Sequence, residues 1–165
     1  MSLIRITNAE NDLFIEGTFH STLFNCEIGI NIDPEVDMEY AEMCVEHFNS
    51  LSDYMIDEFC EMAIRYCEFM RKEWADFGYD DIVEEIENAI PKKVAGRNIL
   101  QFISSPTMYI MPPEQNIPGY SIECDCIWEP EHGLDWIIRE NRNLYVGQSE
   151  ALGAWCDDEE YKGVF

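Results

Sequence analysis

Segments with a period-two hydrophobic pattern lie towards both ends of this sequence and enclose a long stretch with helical periodicity. From Phe24 to Asp33 the even positions are apolar and most of the odd positions are polar, which is typical of a strand with one buried face. Residues 120–129 alternate in the same way, except at Ile127. The order predicts a single α+β domain over residues 1–165, with antiparallel β meanders at the N- and C-terminal ends packed against a central pair or trio of helices.

Further strands are predicted on either side of these two segments. They cover Ile4–Thr7, Leu13–His20, Leu134–Ile138 and Leu144–Val146. The last two follow residues 120–128 across polar turns, which predicts a three-stranded antiparallel meander. Residues 98–111 are expected to be strand-like and broken at Pro106, because proline cannot donate a hydrogen bond to a strand ladder.

Three helices are predicted between the meanders. The first carries an apolar stripe that begins at Tyr40, with apolar residues at spacings of three and four. The second begins after Ser52, a good N-cap residue, and ends at Gly78 in the manner of a C-cap glycine. The third is expected to start with a capping box in which Asp81 is the cap and Glu84 is its partner.

The negative charge of the protein is concentrated in these helices. The chain has 34 Asp and Glu against 10 Lys and Arg, a net charge of -24, and residues 35–90 hold 17 acidic and 3 basic residues. Such a field repels phosphate groups and anionic lipids, so we predict neither a nucleic-acid nor a membrane partner. It attracts basic proteins and speeds their encounter with the domain. The alternative is that the charge serves solubility alone.

The cysteines predict a reducing compartment. Their number is odd and most lie at positions that the patterns assign to the core, which favours free thiols over a disulfide framework. They are Cys26, Cys44, Cys60, Cys67, Cys124, Cys126 and Cys156. The N terminus has no signal pattern, and no apolar run is long enough to span a bilayer. We therefore expect a cytoplasmic protein.

Residues 124–132 are the best candidates for metal or acid–base chemistry. Thiolate and imidazole ligands suit zinc, and the candidate metal ligands are Cys124, Cys126, Glu131 and His132, with Cys156 as a further thiol. Two cysteines on the same face of one strand differ from the C-x₂₋₄-C spacing of structural zinc sites, so core cysteines are the favoured interpretation. The adjacent Glu131 and His132 are expected to form a structural turn. We predict no catalytic residue and no cofactor, since motifs for nucleophiles and nucleotide binding are missing.

The segment Cys126–Leu134 carries a family resemblance. It reads C-I-W-E-P-E-H-G-L and is followed by L-Y-V-G at Leu144–Gly147. This pattern resembles a family of small bacterial domains of unknown function with a C-x-W-(D/E)-x-E-H-G-(L/I) strand–turn–strand that ends in a V-G strand. Asp135 stands where the family pattern has a small residue such as glycine. The resemblance implies an uncharacterised domain with a similar layout, of a kind suspected to include immunity proteins of bacterial toxin systems.

The predicted function is that of an acidic binding protein rather than an enzyme. It would engage a basic protein partner through its helical face, and a toxin that it neutralises is the partner class that the resemblance implies. Aromatic residues would supply the anchors of such an interface, with Tyr40, Tyr54 and Tyr79 as candidates. The alternative is a metal-dependent hydrolase that uses the region of Cys124, Cys126 and His132. The oligomeric state is left open.

Overall fold

The strands form one seven-stranded sheet in a computed structural model that describes residues 1–163 and 165. The strands are β1 Arg5–Asn8, β2 Ile15–Ser21, β3 Cys26–Ile32, β4 Ile103–Ile110, β5 Gly119–Cys126, β6 Leu134–Arg139 and β7 Arg142–Gly147. The helices are α1 Met38–Asn49, α2 Asp53–Asp76 and α3 Asp80–Ala89, with 3₁₀ turns at Gly96–Phe102 and Asp158–Glu160. The predicted α+β class is confirmed.

A parallel pair of strands joins the two predicted meanders into this continuous sheet. The order in space follows the order in the chain, and every neighbouring pair is antiparallel except β3 and β4. Parallel strands need a long crossover connection, and α1 to α3 supply it between β3 and β4. The helices described by the structure do not combine the length and the apolar character needed to cross a membrane.

The main core lies between the helices and one face of the sheet. Phe59 of α2 stacks on Trp136 of β6, with ring centroids 3.8 Å apart and planes 8° from parallel. Phe48 of α1 packs edge-on against the same indole at 5.7 Å. On the other face of the sheet, the C-terminal segment covers Ile137 through a small cluster that includes Tyr161.

Two of the three predicted signals for the ends of helices are confirmed. Ser52 caps α2 by accepting from the backbone N–H of Met55, and Gly78 follows the helix with a φ of 78°. The capping box at Asp81 is wrong: α3 begins at Asp80 after Tyr79, without a side-chain cap. The chain enters α3 directly from the turn at Gly78, so both aspartates already lie in the first turn, where the helix dipole favours carboxylates.

Three strand predictions also need correction. Residues 98–102, expected to be strand-like, belong to the 3₁₀ turn Gly96–Phe102. The break expected at Pro106 is wrong, because β4 continues across it with a bulge between Ser104 and Thr107. A bulge accommodates a residue that cannot donate to the ladder. Cys26 was expected in the core and is exposed, since it lies at the turn end of the β2–β3 hairpin, opposite Ser21.

Candidate functional site

The turn between β5 and β6 is organised by a buried carboxylate that the sequence analysis did not single out. Glu129 is 2% exposed, and its Oε1 accepts from the backbone N–H groups of Glu131 at 3.0 Å and His132 at 3.3 Å. Its Oε2 lies 3.3 Å from Nδ1 of His132. The imidazole thus pairs with Glu129, whereas Glu131 is exposed. The residues lie in a turn, and the carboxylate that bonds within it belongs to Glu129.

Replacing Glu129 with alanine is expected to lower the free energy of unfolding by about 1–2 kcal/mol, because the two backbone donors of this turn lose their acceptor. The matched control is Glu131→Ala, which removes an exposed carboxylate two residues away and should cost less than about 0.5 kcal/mol. Urea unfolding at pH 7, followed by circular dichroism, measures both variants. Equal losses of stability would contradict the role assigned to the Glu129 carboxylate.

The proposed zinc ligands are distributed over different environments. Cys124 and Cys126 are buried, and burial raises the pKa of the Cys126 thiol to about 12 and that of the Cys124 thiol well above its usual range. Cys156 packs instead beside the small cluster of Ile137. Among residues 1–163 and 165, no three His, Cys, Asp or Glu side chains form a group that could hold a metal ion.

The three candidate tyrosines differ in accessibility. Tyr40 is 6% exposed, and its hydroxyl donates to the carbonyl of Ile117 and accepts from the N–H of Gly119. It fixes the start of β5 and is not accessible as an interface anchor, which corrects that assignment. Tyr54 is 72% exposed, with its hydroxyl 3.3 Å from Glu58. Tyr79 is 54% exposed and packs edge-on against Trp74 at 5.3 Å.

A second exposed aromatic residue lies beside Tyr79, at the junction of α2 and α3. This residue is Phe77, which is 70% exposed because it follows the last turn of α2. Exposed carboxylates surround this junction in the sequence. We call the group the α2–α3 corner, and it consists of Phe77 and Tyr79 with Asp76, Asp80, Asp81, Glu84 and Glu85. The corner combines two large apolar side chains with dense negative charge.

The face of the sheet opposite the helices carries a pair of carboxyl groups. Glu123 of β5 and Asp135 of β6 are cross-strand neighbours, and they line an open cavity of about 450 Å³. We call it the carboxyl cavity, and its lining includes Thr107, Tyr109, Glu123, Asp125, Glu131 and Asp135. Asp135 is 2% exposed, and its Oδ1 has no hydrogen-bond partner in the part of the chain that the structure describes.

The surroundings shift the acidity of both carboxyl groups in the same direction. Burial, and then the charge of Glu123, raise the pKa of Asp135 to about 7, while a hydrogen bond from Ser149 opposes the shift. Burial also raises the pKa of Glu123, against a hydrogen bond from Tyr109. Paired carboxyl groups with raised pKa values are characteristic of functional sites. The sequence signal for this pair was a single acidic residue inside the apolar run Leu134–Ile138.

The chain belongs to DUF6985, a family of domains of unknown function, whose match covers residues 5–152. The match spans every strand of the sheet and α1 to α3. The prediction of an uncharacterised domain family is thereby confirmed. No curated protein and no solved structure matches the chain.

Proposed function

We propose that this domain binds a basic protein partner through the α2–α3 corner. The observation that carries the proposal is the exposure of Phe77 and Tyr79, at 70% and 54%, next to a row of exposed carboxylates. Large exposed aromatic side chains are the usual anchors of protein interfaces, because they bury much apolar area when a partner docks. The carboxylates would steer a cationic partner and select against anionic ones.

The charge of the corner is available to a partner. In the described part of the chain, the arginine salt bridges join Arg97 to Asp53 and Asp57, and Arg139 and Arg142 to Asp158. The carboxylates of the corner form no such bridge among these residues. A partner's lysine or arginine side chains would therefore meet acidic groups that are not already neutralised.

A toxin is the class of basic partner that we favour, so that the domain would act as an immunity protein in the cytoplasm. Its net charge of -24 complements a cationic partner, and the family resemblance points in the same direction. All seven cysteines are free thiols, which agrees with a reducing compartment. Neutralisation would consist of covering the partner's basic surface, and it needs no chemistry from the domain itself.

Reversing one charge at the corner is expected to weaken the binding of the partner at least tenfold. In the proposed experiment, the purified domain captures the basic products of neighbouring genes at low salt, and Glu84→Lys is compared with Glu27→Lys. Both residues are exposed and the two changes alter the net charge equally, but Glu27 lies on β3, away from the corner. Tyr79→Ser tests the aromatic anchor separately. Equal losses for the two lysine variants, or no captured product at low salt, would refute the proposal.

A further inference from the structure

We propose that the carboxyl cavity is a binding site for a guanidinium group. It lies on the face of the sheet opposite the helices and is separate from the α2–α3 corner. The proposal rests on three features of the cavity: the row of polar side chains across its floor, an acceptor atom without a donor, and the uniform sign of its charges.

The polar row follows from the strand register. Thr107 of β4 pairs with Glu123 of β5, which pairs in turn with Asp135 of β6. Side chains that lie directly opposite each other on adjacent antiparallel strands project to the same face, with Cβ atoms about 4.5–5.5 Å apart. The two carboxyl groups are therefore close neighbours on a rigid sheet. Groups held by a sheet are positioned more precisely than groups on a loop.

The unsatisfied acceptor belongs to Asp135. The residue is 2% exposed, and its Oδ1 is without a hydrogen-bond partner among the described residues. Buried polar atoms in native proteins are almost always paired, and an exception calls for a specific explanation. A ligand that donates a hydrogen bond inside the cavity supplies that explanation.

The remaining lining selects the chemistry of the ligand. Asp125 and Glu131 add two further carboxyl groups, and none of the described residues that line the cavity is a lysine or an arginine. A guanidinium group has five N–H donors in a planar fork, which matches paired carboxylates. The volume of about 450 Å³ falls within the range of small-ligand sites. A divalent metal ion fits less well, since the described residues bring together no group of three metal-ligating side chains.

Binding should release a proton near neutral pH. The empty site holds the pKa of Asp135 near 7, and a bound cation favours the ionised form, so affinity should increase as the pH rises from 5.5 to 8. Other titratable groups also line the cavity: Tyr109 of β4, Glu123, Cys124 and Asp125 of β5, and Glu131 and His132 of the turn. Two further titratable groups interact electrostatically with Asp135, and they are Tyr145 of β7 and Tyr66 of α2. The raised pKa of Glu123 acts in the same direction, because its ionised form also favours a bound cation.

The experiment titrates the full chain with N-acetyl-L-arginine amide and with methylguanidinium, followed by isothermal calorimetry at pH 5.5 and 8. N-acetyl-L-citrulline amide is the neutral control of the same shape. We expect the citrulline compound to bind at least tenfold more weakly than the arginine compound at pH 8. Binding of both cations would show that the site accepts the guanidinium group of an arginine side chain. Binding of methylguanidinium alone would show that the ligand is a small free guanidine.

Variants locate the binding in the cavity. Asp135→Asn and Glu123→Gln should each weaken it at least tenfold, whereas Glu46→Gln at an exposed position of α1 should leave it unchanged. Thermal unfolding confirms that each variant is folded. Equal binding of the arginine and citrulline compounds, or binding unaffected by Asp135→Asn, would overturn the inference. The outcome does not depend on whether a partner docks at the α2–α3 corner.

Discussion

Replacing Gly133 with alanine should lower the free energy of unfolding by about 3 kcal/mol or more. Gly133 has a φ of 63°, and an added Cβ would overlap the carbonyl oxygen of Cys124. The backbone cannot move away without cost, because the Gly133 N–H donates to the carbonyl of Glu129 and its carbonyl accepts from the hydroxyl of Tyr66, each at 3.0 Å. The turn of the family motif therefore requires glycine for both its conformation and its space.

Gly78 provides the matched control for this substitution. Its φ of 78° is also in the left-handed region, but apart from its chain neighbours an added Cβ would meet no atom of the described residues within 4 Å. Gly78→Ala should therefore cost only the conformational strain, about 1 kcal/mol. Urea unfolding followed by circular dichroism compares the two, and the excess loss in Gly133→Ala measures the overlap with Cys124. Similar losses of stability in both variants would show that the turn at Gly133 accommodates the added Cβ at no further cost in free energy.

The features that could be predicted from the sequence are those set by neighbours in the chain. The alternation of residues 120–126 assigned Tyr120, Ile122, Cys124 and Cys126 to the core face of β5, and all four are buried. Ser52 and Gly78 marked the ends of α2, because a cap acts through its own side chain or backbone conformation. These signals are local, and the structure confirms them.

The features that could not be predicted depend on residues far apart in the chain. The parallel pairing of β3 with β4 is invisible to periodicity, because a pattern does not say which strand lies beside which. Periodicity also does not show where a core ends, so Cys26 was assigned to the core and is exposed. The carboxyl cavity could not be predicted for the same two reasons. Glu123 and Asp135 become neighbours only through the register of β5 and β6, which periodicity does not give.

Asp135→Asn should stabilise the domain by about 2–4 kcal/mol at pH 8 and leave its stability at pH 4 almost unchanged. The folded protein holds the pKa of Asp135 near 7, above the ordinary value of 3.8. Between these values the folded state retains a proton that the unfolded state has lost, so the contribution of Asp135 to the stability falls as the pH rises from 4 to 7. Asparagine does not titrate, and its amide can donate to Glu123. The variant should therefore lose this part of the pH dependence.

Urea unfolding from pH 4 to pH 8.5 tests this expectation, with Asp125→Asn as the control for an exposed carboxyl group that lines the same cavity. The control should keep the wild-type slope. A stability difference between Asp135→Asn and the wild type that does not grow from pH 4 to pH 7 would contradict the assignment. A side chain whose removal stabilises the fold is retained at a cost, which is typical of groups kept for function. If Asp135→Asn stabilises the fold and also abolishes guanidinium binding, then this buried carboxyl group lowers the stability of the domain and is retained because it binds the ligand.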